Sequence, residues 1–227
     1  MFLLLAVCIL ISSIAAAPVA NTTQLTPEQL KKSLEPLIAF EKYFDEAYLT
    51  AIKTVFSSDR LLQQAADFIN KMNENKIARP KTHEEAVRLL ESEYPELGSV
   101  MRAVTNDYEN RYQTLSADAK KFLDDIEKRA YQMSEEMSKA SEQVKTTGNM
   151  TDPLGLVRTL SKLFLENFKQ YQALDQNVLG ELKQNWPKLN DFLNSNVFAS
   201  LIRMVENTLS MSDTDLKEYI SKFNAFL

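Results

Sequence analysis

The longest regular pattern of apolar and polar positions in this chain lies between residues 116 and 144. Apolar residues recur there at steps of three and four, which confines them to one face of a helix. Ser116 can cap the first turn and Gly148 stands just past the end, so both limits of the helix are marked locally. At about 1.5 Å per residue the helix would be on the order of 40 Å long, and other helices must cover its apolar face.

The opposite face of this helix is charged. Asp124 precedes Lys128 by four positions and Asp125 precedes Arg129 by four, which is the order that favours ion pairs on a helix. We therefore expect two ion pairs there, on a face turned towards water.

Shorter amphipathic patterns flank the long one, and a proline or a capping residue opens most of them. We predict a short helix from Thr26, a longer one from Pro36 to Val55, and a polar loop over residues 73–81. The other predicted helices cover residues 59–72, 82–94, 95–115, 153–171, 175–186, 189–193, 198–209 and 212–227. The chain has only four glycines and no run of alternating β-branched residues, so the sequence gives little indication of hairpins or a β-sheet. The predicted fold is all-α, a single domain of about ten mostly short amphipathic helices around one long central helix.

The first 17 residues have the pattern of a secretory signal peptide. An uninterrupted apolar run from Phe2 to Ile11 is followed by serines and alanines. Cleavage is expected near residues 15–17, with residues 18–25 as a flexible segment and residues 26–227 as the helical domain. A short N-terminal anchor is the alternative interpretation. No later stretch approaches ~18 consecutive apolar residues, the length that crosses a bilayer.

Asn21 and Asn149 each begin an Asn-x-Thr triplet in a stretch that we expect to be non-helical. Such triplets are acceptors for N-glycosylation in secreted proteins, although they also occur by chance. Both asparagines are therefore candidate glycosylation sites.

Composition argues against several classes of function. Cys8 is the only cysteine and lies in the predicted signal peptide, so the mature chain would have no disulfide, thiol nucleophile or thiolate metal site. The formal net charge of −5, with no clustered basic face, argues against a nucleic acid partner. The single histidine, His83, is expected to be an exposed residue of a first helical turn rather than a ligand or base. Paired carboxylates are the remaining catalytic option, but Asp124 and Asp125 are expected to form ion pairs that face solvent. We therefore predict that the protein is not an enzyme and that it binds no metal or cofactor.

Three segments, in this order along the chain, resemble the nematode fatty acid and retinol-binding protein family. Residues 82–86, Thr-His-Glu-Glu-Ala, look like the helix start that the family places before its central signature, and the run LSADAKKFLDDI at residues 115–126 resembles that signature. The stretch from Tyr171 through Trp186-Pro187 to Leu209 is similar to the family's tyrosine, short acidic helix, aromatic–proline pair and final amphipathic helix.

The resemblance implies a secreted, helix-rich carrier with an internal apolar cavity for a long-chain fatty acid or retinoid. We expect a monomer with a small lipid as its ligand, and transient contact with a membrane as a further interaction to test. The region of residues 134–165 is longer than the corresponding region of the family, and the helix over 212–227 extends the chain beyond the family pattern. Both additions can change the shape of the cavity and the choice of ligand. Two other functions stay open: an apolipoprotein-like protein that coats lipid surfaces with its helices, and a helical interaction protein without a ligand.

Ten apolar residues on the predicted inward faces are candidates for lining the cavity. They are Phe122, Ile126, Ala130, Met133, Leu160, Phe164, Phe168, Leu182, Phe198 and Ile202. Each could instead fill a solid core, as buried phenylalanine, leucine and methionine usually do. A ligand carboxylate would need water or a cation nearby, and Arg111, Lys162 and Arg203 lie beside apolar faces, although such side chains often reach solvent instead.

Overall fold

A computed structural model describes residues 24–38, 40–147 and 152–224 of the chain. The predicted signal peptide, the candidate glycosylation sites Asn21 and Asn149, and Gly148, the predicted end of the long helix, lie outside the described residues. Within the described ranges, none of the helices combines the length and the apolar character that crossing a membrane requires.

The described ranges form eleven α-helices and one short 3₁₀ helix, and no strand occurs in them. The all-α prediction is therefore confirmed. The α-helices are α1 (Pro27–Ile38), α2 (Glu46–Phe56), α3 (Asp59–Asn73), α4 (His83–Glu93), α5 (Pro95–Gln113), α6 (Ala117–Thr147), α7 (Pro153–Gln172), α8 (Gln176–Asn185), α9 (Pro187–Leu193), α10 (Asn196–Ser210) and α11 (Asp213–Asn224). The 3₁₀ helix, Glu41–Tyr43, lies between α1 and α2.

Most helix starts follow the local signals in the sequence. Thr26 and Gln29 form the predicted capping box, because the Thr26 hydroxyl accepts from the Gln29 N–H at 3.2 Å and the Gln29 side chain accepts from the Thr26 N–H at 2.9 Å. The cap of the long helix α6 is also present, since the Ser116 hydroxyl accepts from the Ala119 N–H at 3.3 Å. The following side chains cap further helices: Ser58 (α3), Thr82 (α4), Asp152 (α7), Asp175 (α8) and Ser195 (α10).

The prediction that a helix begins at Pro36 is wrong. Helix α1 continues through Pro36, and the chain then passes through the 3₁₀ helix before α2 begins. Ahead of α2, Phe44 is buried with an extended backbone. Asp45, the next residue, does not cap α2 with its side chain but pairs with Arg111 of α5 at 3.1 Å. A long-range ion pair therefore holds the chain at the start of α2, and no local spacing indicates it.

Most of the buried apolar side chains of the described residues fall into three clusters. Two of them join helices α1–α5 to one another, with Leu62 and Val104 in one and Leu97 in the other. The third lies along the first half of α6, where Phe122 belongs to the same buried cluster as Leu182 of α8. Helix α6 also contacts α7, and α7 contacts α10. Helices α1–α5 thus build cores of their own, while α6–α10 carry most of the predicted site residues.

Candidate functional site

A small, mainly apolar pocket lies where α6 meets α7, α8 and α9. Its lining consists of Phe122, Leu123, Tyr171, Leu182, Lys183, Trp186, Leu189, Asn190 and Leu193. The pocket has a volume of about 20 Å³, which is room for about one water molecule. Small-molecule sites usually have about 300–1,000 Å³. The described part of the chain therefore does not show the internal cavity that we expected.

The predicted residues on α6 and α8 lie at this pocket or in the core behind the same helix. Phe122 and Leu182 line the pocket. Ile126 is fully buried in the cluster that contains both of them, and Ala130 packs against that cluster. Met133 is buried further along α6. Phe122, Ile126, Ala130 and Met133 therefore share one side of α6, as the spacing predicts, and Leu182 meets that side from α8.

The other predicted residues lie along the contact between α7 and α10. Phe164 and Phe168 of α7 face Phe198 of α10, with ring centroids 6.2 and 5.1 Å apart. Phe192 of α9 joins them at 5.2 Å from Phe198. The remaining candidates are half-buried on the same two helices: Leu160 and Ile202. The structure thus brings the ten residues to neighbouring stretches of α6, α7, α8 and α10, but not into one enclosed chamber.

Apolar side chains on α7 and α10 are only partly covered by the rest of the protein. Half-buried ones are Leu156, Val157, Leu160, Leu163, Phe164 and Phe168 on α7, with Leu201, Ile202, Val205 and Leu209 on α10. Val197 and Met204, seven residues apart on α10, are 45% and 40% exposed. In the α1–α5 part, by contrast, Leu30 and Leu62 are at most 1% exposed. Apolar surface left uncovered in this way is typical of binding grooves and interaction sites.

The pocket also contains residues that the sequence analysis did not assign to the site. Tyr171 and Trp186 stand in the stretch that resembles the family, so that resemblance was a signal that could have selected them. Lys183 and Asn190 lie in the same stretch, but helical spacing alone could not select them, because it does not distinguish a polar residue at a pocket from one in water.

Arg111, the first of the three predicted carboxylate partners, is paired with carboxylates of its own chain. Its guanidinium contacts Asp107 at 2.9 Å and Asp45 at 3.1 Å, and it also donates to the backbone carbonyl of Asn185. Burial raises the pKa of the Asp45 carboxyl, and Arg111 opposes that shift. This cluster joins α5 to α8 and to the residue before α2.

The other two predicted partners, Lys162 and Arg203, have exposed side chains. Neither of them, nor Arg111, is among the residues that line the pocket. The cation that does line it is Lys183, which is exposed on α8. The structure therefore does not bring the three predicted cations together at this pocket.

The ion pairs predicted for Asp124 and Asp125 do not form among the described residues, so that expectation is wrong. Asp124 instead accepts a hydrogen bond from the Tyr112 hydroxyl at 2.9 Å. Arg129 turns towards α7, where its Nη1 donates to Asn167 Oδ1 at 2.8 Å. Asn167 is only 4% exposed, so this contact lies inside the packing of α6 on α7.

His83 is half-buried, so the expectation of an exposed histidine is also wrong. Its Nε2 lies 2.7 Å from the Thr105 hydroxyl, which itself donates to the Met101 carbonyl, so Nε2 carries the proton and donates. Burial lowers the pKa of the ring to about 4. The backbone N–H of His83 donates to Glu127 of α6 at 2.9 Å. The residue thus connects α4 with α5 and α6 as a neutral structural group.

Fold and site define the class of the protein: it is all-α, with incompletely covered apolar surface on α7 and α10. Within the described residues, no group of three His, Cys, Asp or Glu side chains is placed to hold a metal ion. A family model described as nematode fatty acid retinoid binding protein (Gp-FAR-1) matches residues 53–205, and the chain belongs to this family. No curated protein and no solved structure matches the chain. The matched range runs from within α2 to within α10 and includes the pocket and the α6–α7 contact.

Proposed function

We propose that the protein is a secreted carrier that binds a long-chain fatty acid or a retinoid between α6 and helices α7–α10, and that it catalyses no reaction. Membership of a fatty acid and retinoid binding family supports the class of ligand. The proposal depends on the half-buried apolar surface of α7 and α10, next to the pocket against α6. A hydrocarbon placed there would remove apolar surface from water, which is favourable.

A ligand of this size requires the helices around the pocket to move apart. The volume of about 20 Å³ is far too small for an acyl chain. Helices α8 and α9 are short, with 10 and 7 residues, and they supply most of the pocket lining. Pro187 begins α9 directly after Trp186, so the two helices are separate segments. We infer that the α8–α9 pair shifts away from α6 and α7 when a ligand enters.

Burial of hydrocarbon is large enough to drive this binding. Each methylene that leaves water contributes about 0.8 kcal/mol, so a dozen contribute on the order of 10 kcal/mol. The loss of free motion of the ligand removes several kcal/mol of this sum. The remainder corresponds to an affinity in the micromolar range.

Secretion is part of the proposal, and the apolar run within residues 1–17 supports it. In a secreted protein, Asn21 and Asn149 would meet the glycosylation machinery. Expression of the full chain in a eukaryotic cell, followed by N-terminal sequencing of the protein in the medium, tests the expected cleavage near residues 15–17. Retention of the uncleaved chain in the cells would contradict secretion.

Ligand binding is tested by displacing a fluorescent fatty acid from delipidated protein with oleate and with retinol. We expect emission to rise when probe and protein are mixed, and to fall as either competitor is added. No rise in emission at micromolar protein would contradict the carrier function. A native mass spectrum of protein from a lipid-containing host is an independent measurement, with a fatty acid or retinoid adduct as the expected result. Co-flotation of most of the protein with vesicles, together with rising helicity, would support the lipid-coating alternative instead.

A matched pair of variants locates the site. Leu189 lines the pocket and is half-buried, whereas Ile38 at the end of α1 is 44% exposed and does not line it. We expect Leu189→Asp to weaken binding of both oleate and retinol about tenfold or more, because a charge would stand against hydrocarbon. Ile38→Asp makes the same chemical change and should leave both affinities unchanged. Equal effects of the two substitutions would place the ligand elsewhere.

A further inference from the structure

Arg129 is a cation on the apolar face of the long helix. It lies three residues after Ile126, which is 0% exposed, and four residues before Met133, which is 3% exposed. These are the spacings of residues that share one side of a helix. The guanidinium is half-buried, and its Nη1 donates to Asn167 Oδ1 at 2.8 Å.

The charge of Arg129 lacks the ionic partner that three of the other half-buried arginines have. Arg102, Arg111 and Arg158 each contact a carboxylate at 2.6 to 3.1 Å. Among the residues that the structure describes, no carboxylate forms an ion pair with Arg129. Arg79 also donates to an asparagine, but it lies in the loop after α3 and not on an apolar helix face.

A half-buried guanidinium without a carboxylate partner favours binding of an anion. Removing a charge from water is costly unless the charge is paired. The neutral carbonyl of Asn167 satisfies one of the five N–H donors of a guanidinium, so donors remain for another acceptor. Asn167 is 4% exposed, which makes it a fixed support for Arg129.

Arg129 and the pocket lie along the same contact between α6 and α7. Phe122 and Tyr171, which line the pocket, have ring centroids 6.3 Å apart across this contact. Phe122 precedes Arg129 by seven residues, which is about 10 Å along the helix axis. A hydrocarbon chain that starts at Arg129 and follows the contact therefore reaches the pocket.

We propose that Arg129, held by Asn167, binds the carboxylate of a fatty acid whose hydrocarbon chain runs along the α6–α7 contact towards the pocket. The planar guanidinium can donate two parallel hydrogen bonds to a carboxylate. This assignment rests on the proposed carrier function and adds the residue that recognises the acid group. It implies that a fatty acid depends on Arg129, whereas a fatty alcohol of the same chain length or retinol does not.

The test compares oleate, oleyl alcohol and retinol as competitors of a fluorescent fatty alcohol on delipidated wild type and three variants. For Arg129→Gln we expect the dissociation constant of oleate to rise about tenfold or more, with those of the two alcohols within about twofold of wild type. Asn167→Asp places a carboxylate beside Arg129, so oleate should again bind several-fold more weakly while the alcohols do not. Lys128→Gln is the matched control, because it removes the charge of the next, exposed residue on α6 and should change nothing.

The outcomes separate this proposal from the carrier function. If wild type binds none of the three lipids, the carrier function itself fails. If wild type binds all of them and folded Arg129→Gln binds oleate as tightly as wild type does, the assignment of Arg129 is overturned and the carrier function stands. Circular dichroism melting shows whether Arg129→Gln folds. If Arg129→Gln does not fold, the affinity of Asn167→Asp for oleate is the test, and an affinity equal to that of wild type overturns the assignment.

Discussion

At the scale of single residues, burial of His83 makes the stability of the fold depend on pH. Burial holds the pKa of its ring at about 4 in the folded protein, while the unfolded chain has a value of about 6.5. Between these values the unfolded state binds a proton that the folded state does not bind. The free energy of unfolding should therefore fall as the pH falls from about 6.5 to about 4, by up to about 3 kcal/mol from this residue.

Urea unfolding of wild type and His83→Gln measures this contribution. Glutamine can keep a hydrogen bond to Thr105 but does not titrate, and the carboxylates titrate in both proteins. We expect the stability of wild type relative to the variant to decrease by about 2–3 kcal/mol between about pH 7 and about pH 4. A difference between the two proteins that stays constant over this range would contradict a buried, neutral His83.

Arg111 is expected to contribute more to stability than an exposed arginine does. Its side chain is 23% exposed and that of its partner Asp45 is 12% exposed, so Arg111→Met leaves a buried carboxylate without its cation. We expect a loss of about 3 kcal/mol in the free energy of unfolding. Arg60, 72% exposed and paired with Glu96 at 3.1 Å, is the control, and Arg60→Met should cost less than about 1 kcal/mol. Chemical denaturation at neutral pH compares them, and equal losses would contradict this interpretation.

At the scale of helices, the sequence predicts what local chemistry determines. The side-chain oxygens of Thr26, Ser116 and Asp175 each accept a hydrogen bond from the backbone N–H three residues later. These helix starts can therefore be identified without knowledge of the fold. The interruption before α2 could not be predicted in this way, because Asp45 pairs with Arg111, 66 residues away. Prediction from spacing therefore fails where a side chain pairs with a residue that is distant in the sequence.

The candidate site was predictable in part for the same reason. Apolar periodicity correctly places Phe122 and Ile126 on one side of α6, and Leu182 on the side of α8 that meets it. Arg129 shares the face of Ile126, yet its spacing of four residues from Asp125 predicts a surface ion pair. The contact with Asn167 on α7 exists only in the folded chain, so a choice between the two interpretations required the structure.

Helices α4 and α5 should be sensitive to one added methyl group where they cross. A Cβ atom on Gly98 would lie 2.5 Å from the Cα of Glu91, which is backbone and cannot turn away. We expect Gly98→Ala to lower the free energy of unfolding by about 2 kcal/mol or more despite the higher helix propensity of alanine. Gly180 on α8 has no atom within 4 Å of that position, so Gly180→Ala should instead stabilise by about 0.5–1 kcal/mol. Thermal unfolding of the two variants distinguishes them, and shifts of the same sign would contradict the prediction.

At the scale of the whole molecule, burial is distributed unequally between two sets of helices. Helices α1–α5 contain two of the three buried clusters found among the described residues, whereas the inward residues of α7 and α10 are mostly half-buried. Local opening has a low free energy where few apolar contacts are buried. The part of the molecule proposed to bind lipid is therefore also the part expected to open most easily.

Amide hydrogen exchange tests this relation between burial and binding. In delipidated protein we expect α7–α10 to exchange faster than α3 and α5 at short labelling times, which report local opening. Saturating oleate should slow exchange most in α7–α10, because hydrocarbon against Phe164, Phe168 and Phe198 adds apolar contacts that the free protein lacks. At about one hundred times the dissociation constant, ligand binding also stabilises the whole fold by about 2.7 kcal/mol, so α1–α5 should slow as well at long labelling times. Slowing confined to α1–α5 at short times would show that the ligand lies among those helices, and the proposed site along α6–α10 would then be wrong.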